Sequence, residues 1–287
     1  MLKLAFSSLP CEGWSAEKLI QCCKENGYLG IELREDDNTW VSSNVSAEER
    51  KRIWSLFQEA GLTVTDIGSG ICVKGLSEDE IDKKFELLTK SVQLAVDYHA
   101  VGIRIFLGNF AMKRDAPKQE LGYDKIVTWL QRACDYAAKL GKEIWIETHN
   151  EFSTGKVLDK LLKQVQRSNC KIIWDVIHPL EYLESPEETL AFLGTSCVHI
   201  HVKDGVPHED PLFHDWKYTG MGEGKVPVKN IIILLTQQGF SGFYSLEWES
   251  KWRKELQSLD LQLDTVLRHY PEYMTELYKL KNEVTSE

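Results

Sequence analysis

The run Cys197-Val198-His199-Ile200-His201-Val202-Lys203-Asp204 carries the most informative alternation in the chain. Read with a period of two, Val198, Ile200 and Val202 share one face, and His199, His201 and Lys203 share the other. The apolar face suits packing beneath helices. The polar face is costly in a buried strand unless each group is paired or bound to something. A strand with this pattern points towards a site.

Outward from it, short apolar runs recur along the whole chain, near 2–7, 29–33, 62–67, 102–107, 143–147, 171–175 and 242–247. Between them lie amphipathic helical patterns opening at Ser15, Ser46 and Ser77, then covering 123–140, 156–167, 186–192 and 227–238, with more helix at the C-terminus. Ser46-Ala47-Glu48-Glu49 reads as a capping box. Gly68-Ser69-Gly70 is expected to open a loop, and 204–226 to form a long one. Strand alternating with helix predicts an α/β protein with a parallel sheet. Eight units in a chain of 287 residues suit a closed (β/α)8 TIM barrel, whose usual size is about 250 residues. An open doubly wound sheet is disfavoured because no G-x-G-x-x-G follows the first strand. No linker or low-complexity segment divides the chain, so residues 1–287 are read as one domain.

Hydrophobic residues make up 43% of the chain and charged ones 27%, enough apolar side chain for a sizeable core. No apolar run approaches the roughly 18 residues of a membrane span, and the first residues lack a signal-peptide pattern. A cytoplasmic protein is therefore expected, with no membrane partner. The seven cysteines are scattered without a C-x-x-C pair, against a disulfide framework or a thiolate zinc site. The net charge of −10 argues against nucleic acid as a partner.

In a barrel of this kind chemistry sits at the carboxyl ends of the strands. Those ends hold Glu32, Asp66, Arg104, Glu147 with His149, Asp175 with His178, then His199, His201 and Lys203, and Glu247 with Glu249. Four consecutive strands thus end in Glu147, Asp175, His201 and Glu247. Carboxylates crowded at an apolar mouth repel one another unless protonated or bridged by a cation. Three carboxylates and an imidazole form a hard, oxygen-rich set for one divalent ion, with Mn, Mg or Co preferred and Zn a further option.

Glu147, Asp175 with His178, the His-Val-Lys-Asp of 201–204 and Glu247 in Ser-Leu-Glu-Trp-Glu resemble the xylose isomerase-like TIM barrels. Within these the pattern is similar to the sugar phosphate isomerase/epimerase group. Gly-Ile-Glu-Leu at 30–33 and the glycine loop Gly220–Gly224 fit as well. The resemblance implies that Glu147, Asp175, His201 and Glu247 bind the metal, that Glu147 and Glu247 move the proton, and that His178 contacts substrate. Lys203, His149 and Glu32 complete the candidate substrate contacts; Glu32 has an alternative as a partner of Arg104. His199 is read as a satisfied core histidine, and His208 and His214 as exposed or lid residues.

The function expected is a metal-dependent isomerase or epimerase of a small sugar, sugar phosphate or polyol ketone. The alternative is a metal-dependent dehydratase of a cyclic polyol ketone, of the inosose or dehydroshikimate type. Behind these stand an AP-endonuclease-like nuclease, which would need three zinc ions, and a barrel that only binds a ligand. By resemblance, a homo-oligomer is a further option. The Gly220–Gly224 loop is read either as a phosphate cradle of backbone N–H groups or as a flexible turn.

Overall fold

The computed structural model describes residues 2–74, 77–109, 122–210 and 212–284, with side chains to residue 280. Seven strands come first in the chain: β1 (Lys3–Ser7), β2 (Gly30–Arg34), β3 (Thr63–Val73), β4 (Gly102–Leu107), β5 (Glu143–Glu147), β6 (Cys170–Asp175) and β7 (Cys197–Val202). After β7, the short strands β8 (Gly205–Val206) and β9 (Lys217–Tyr218) pair antiparallel. Strand β10 (Phe243–Leu246) then joins β7 on one side and β1 on the other, closing an eight-stranded parallel barrel.

Helices α1 (Ala16–Asn26), α2 (Ala47–Glu59), α3 (Glu78–Asp97), α4 (Tyr123–Lys139) and α5 (Gly155–Val165) each follow one of the first five strands. The short α6 (His178–Glu181) and then α7 (Pro186–Leu193) follow β6, and α8 (Val228–Gln237) follows the β8–β9 hairpin. After β10 come α9 (Lys254–Gln257) and the long α10 (Leu263–Val284). The result is the expected (β/α)8 barrel.

Local chemistry sets the helix starts. Ser77 and Ser185 each make a complete capping box, with Glu80 and Glu188 reaching back to the cap backbone. Ser46 makes only the hydroxyl half, accepting from Glu49 N at 3.2 Å. The Glu49 carboxylate is held instead by Arg52, whose Nε and Nη2 both lie 2.8 Å away.

The reading at Gly68–Gly70 needs correction. Strand β3 continues through it to Val73, with its register against β4 shifting between Gly68 and Cys72. A bulge absorbs the extra residues, and Ser69 Oγ donates to Arg104 O at 2.6 Å across it. The segment 204–226 likewise contains the β8–β9 hairpin rather than loop alone.

The apolar core is a sleeve between strands and helices. Ile31, Ile67, Ile103, Ile146, Ile172 and Ile200 are buried there, one residue out of phase with the polar positions. The barrel interior is polar: Glu32 on β2 hydrogen-bonds His199 and His201 on β7, although β1 and β10 separate those strands in the barrel order. Only side chains pointing to the barrel axis can meet that way. Trp145 fills the interior beside His199, with ring centroids 5.5 Å apart, in space left by Gly102, where any Cβ would collide with the indole.

Candidate metal centre

The quartet comes together. One ligand atom from each of Glu147, Asp175, His201 and Glu247 lies within 4.8 Å of the others, and all four residues are buried. Each comes from the carboxyl end of β5, β6 or β7, or from the residue after β10. They stand one βα unit apart in the chain and adjacent in space.

The imidazole of His201 is the hub. Its Nδ1 faces Glu147 Oε1 at 3.1 Å and Glu247 Oε2 at 3.3 Å, and its Nε2 faces Glu32 Oε2 at 3.1 Å. Asp175 is fixed by the turn into α6: Ile177 N donates to its Oδ1 at 2.9 Å, and its own N donates to Thr148 Oγ1 at 2.9 Å. Two cations neutralise the cluster. Arg104 places Nη1 3.4 Å from Glu147 Oε2 and Nη2 3.9 Å from Glu247 Oε1. Lys203 places Nζ 2.7 Å from Asp175 Oδ2 and 2.6 Å from Glu247 Oε2, and donates its hydrogen bond to Glu249.

The protonation states follow. Burial alone would raise the carboxyl of Glu247, but Lys203, His201 and Arg104 hold it well below the usual range. Glu147, raised by burial and by Glu247, is brought down by His201 and Arg104. Burial disfavours the charge on His201, yet Glu32, Glu247 and Glu147 together raise it well above an ordinary imidazole. Both glutamates are therefore ionised bases at neutral pH.

A divalent cation fits this set. Glu147 Oε2, Asp175 Oδ2 and Glu247 Oε2 are all buried without a hydrogen-bond donor, their cationic neighbours supplying charge but no aligned hydrogen bond. Lys203 and Arg104 offset part of this buried negative charge, and a divalent ion would add the directed bonds that these oxygens lack. Oxygen-rich donors with one imidazole suit Mn, Mg or Co.

The expected substrate contacts are placed differently from one another. His178 opens α6 beside the quartet, and its Nδ1 is hydrogen-bonded to Thr148 O. Since a carbonyl only accepts, Nδ1 carries the proton and Nε2 is left as an acceptor. Burial, then His149 and Lys203, push its pKa down to about 3, so the ring is neutral. His149 meets it edge-on at 4.7 Å and packs on Phe106 at 4.9 Å. Lys203 reaches the quartet directly.

Glu32, expected among the substrate contacts, faces two histidines in the barrel interior. It is fully buried, with Oε1 3.0 Å from His199 Nε2 and Oε2 on His201. Nor does it pair with Arg104, whose guanidinium goes to Glu147 and Glu247. The Glu32 contact pairs Nε2 of His199, while its Nδ1 is buried without a hydrogen-bond partner, so this core histidine is half satisfied. His208 is exposed and stacked on Phe213 at 4.5 Å. His214, also expected outside, is buried against Tyr182 at 4.8 Å, because the β8–β9 hairpin folds its loop inward.

The Gly220–Gly224 loop holds an anion of its own. Asp204 Oδ2 accepts from Gly222 N at 2.9 Å and Gly224 N at 3.0 Å, and its Oδ1 from Gly205 N and Val226 N. The backbone donors that a phosphate would use are taken by this carboxylate.

Two contributions were not assigned from sequence. Glu249, noted only as a strand-end residue, grips Lys203. Thr148, between Glu147 and His149, ties β5 to β6 at the site and had no signal beyond position.

Comparison with known proteins follows from this geometry. A model of the xylose isomerase-like TIM barrel family matches residues 20–268. Among solved structures, an L-ribulose 3-epimerase is 14% identical, with TM-score 0.78 over 100% of this chain and 97% of its own. A D-psicose 3-epimerase from Clostridium cellulolyticum H10 is 14% identical, with TM-score 0.78 over 97% of this chain and 99% of its own. The probable 3-DHS dehydratase AsbF from Bacillus anthracis is 22% identical, with TM-score 0.70 over 91% of this chain and 100% of its own. At such identities the likeness establishes the fold alone. No curated protein matches in sequence.

Proposed function

This chain belongs to the xylose isomerase-like TIM barrel family, and from that premise we propose that it is a divalent-metal-dependent isomerase or epimerase of a small sugar, sugar phosphate or polyol ketone. The observation that carries the reading is the buried quartet Glu147, Asp175, His201 and Glu247, with three carboxylate oxygens lacking hydrogen-bond donors. Those four residues would hold one ion, Mn, Mg or Co by donor chemistry. Once bound, the ion supplies Lewis acidity to a carbonyl and the neighbouring hydroxyl, favouring the enediolate that follows C–H cleavage.

The chain's own residues do the rest. Glu147, ionised, takes the proton from the carbon beside the carbonyl, and Glu247, ionised at rest, draws a proton from Lys203, whose Nζ lies 2.6 Å from its Oε2, before it returns one. Return to the opposite face of the same carbon gives epimerisation; return to its neighbour gives isomerisation. His178 accepts from a substrate hydroxyl through Nε2. Lys203 donates to a substrate oxygen, and His149 walls the site beside His178. Glu32 positions His201 rather than touching substrate.

A second reading, dehydration of a cyclic polyol ketone, has one observation in its favour. Lys203 is buried and protonated, its pKa kept well above the ordinary ammonium value by Asp175, Glu247 and Glu249 against the pull of burial. A protonated group beside a base is what loss of a β-hydroxyl as water requires. His178, neutral with its one proton on Nδ1 donated to Thr148 O, is the weaker candidate for that acid. A product absorbing as a conjugated enone would decide for dehydration.

The test of the main reading is metal content of wild type and Asp175→Asn after loading with MnCl2. About one ion per chain, lost in the variant, supports the quartet and directs a ketose screen. No metal in wild type would end the reading, and three zinc ions would replace it with the nuclease.

A further inference from the structure

A cavity of about 370 Å³ opens where β1, β2 and β10 end, walled by Trp14, Trp40 and Trp252. It is larger than a three- to six-carbon polyol needs for its reacting atoms. Trp40 Nε1 donates to Trp14 O at 3.0 Å, fixing two of the walls.

Four charged residues line the cavity, and three are already spoken for. Glu12 is ion-paired with Lys251. Asp36 Oδ1 accepts from Asn38 N at 2.9 Å and Asn38 Nδ2 at 3.1 Å. Arg34 is the exception. Its Nη1 donates to Gly68 O at 2.6 Å, and among the described residues no carboxylate makes an ion pair with it. The guanidinium lies along the Gly68-Ser69-Gly70 stretch of β3; a Cβ at Gly70 would stand 3.3 Å from Nη2. Its backbone is pinned by Ser8 Oγ, which accepts from Arg34 N at 2.8 Å. Glu247, Glu35 and Asp36 act on the guanidinium from a distance but none pairs with it, and the glycines leave room beside it for an anion.

Resting on the reading of the quartet as an isomerase centre, we infer that its substrate carries an anionic group, a carboxylate or a phosphate, at the end away from the reacting carbons, and that Arg34 receives it. The planar guanidinium offers paired donors that either anion accepts. Arg34 follows Glu32 by two residues on β2, and a Cβ at Gly68 would stand 3.8 Å from Cα of Arg34 and 3.5 Å from Nη2 of Arg104. One small molecule can therefore span both.

The test is calorimetric binding of two matched pairs, D-fructose against D-fructose 6-phosphate and methyl quinate against quinate. Wild type, Arg34→Met and Arg34→Lys are each titrated with excess MnCl2 and again with EDTA. Wild type is expected to prefer the anionic member of one pair by about ten- to hundredfold, the range of a charge-assisted hydrogen bond. Which pair responds separates phosphate from carboxylate. Arg34→Met should lose the preference while still binding one Mn²⁺ per chain, and Arg34→Lys should keep part of it. No preference in either pair, or a preference that survives in Arg34→Met, overturns the inference. Failure to bind Mn²⁺ would instead count against the quartet, and the EDTA titrations score the anion preference without it.

Discussion

Glu32 Oε2 lies 3.1 Å from His201 Nε2, on the side of the imidazole opposite Glu147 and Glu247. A carboxylate there holds the proton on Nε2, so that a metal ion entering the quartet would displace only the Nδ1 proton, the arrangement by which a second carboxylate orients a metal-binding histidine. Burial would keep Glu32 protonated, but His201 and His199 hold it ionised. Glu32→Gln should therefore weaken Mn²⁺ binding by about 10- to 100-fold. Calorimetry giving an unchanged affinity would dismiss this role.

Lys203 stands where a metal ion must compete with it, within 2.7 Å of oxygens on both Asp175 and Glu247. Lys203→Met removes that competing charge while keeping most of the volume. Mn²⁺ should bind more tightly, on the order of tenfold, even as turnover falls. Weaker metal binding in this variant would show that the ammonium supports the site instead.

Glu147→Gln should retain the wild-type melting profile and lose about 10²- to 10⁴-fold in turnover, the usual share of a general base. Exchange of the substrate's C–H hydrogen into D₂O should fall in parallel. Exchange at the wild-type rate would move the base to another residue.

Asp66 offers a pH signature away from the metal ligands. Burial first, then the charge of Glu32, push its carboxyl up to about 7. A raised acid keeps its proton in the folded state between about pH 4 and 7, where the unfolded chain has released it. The stability it contributes is thus complete below about pH 4 and is lost as pH rises to about 7. Asp66→Asn should be stabilised relative to wild type at pH 8 compared with pH 4, measured by urea unfolding in EDTA. An equal difference at both pH values would contradict the shift.

Gly102→Ala would drive a methyl group into the Trp145 indole. Overpacking of this kind costs about 1–3 kcal/mol, and the urea midpoint should fall without a change in slope. An unchanged midpoint would mean that the indole has room to move.

Much of this molecule could be read from sequence because both its periodicities are strong. The period-two alternation of 197–204 separates His199 and His201 from Ile200 and Val202, and the structure puts those pairs in the barrel interior and in the sleeve. The strand-end positions of Glu147, Asp175, His201 and Glu247 were legible because a βα repeat must deliver strand ends to one rim. Long-range pairing was not. Nothing local tells that Glu32 meets two imidazoles of β7 across the barrel, or that Asp204 fills the glycine loop that a phosphate might have used. Gly68-Ser69-Gly70 misled for a related reason: glycines that read as a turn are a bulged strand carrying Arg34.

Barrel closure also imposes an order of events on synthesis. The first strand made pairs with the last, Lys3 beside Phe243 and Phe6 beside Leu246, and Glu247 follows directly. A nascent chain that has emerged through β7 already displays Glu147, Asp175 and His201, yet has neither the fourth ligand nor a sealed wall. Contacts so distant in sequence form late. A chain truncated after residue 240 lacks Glu247 and the closing strand, and should hold no Mn²⁺ on equilibrium dialysis.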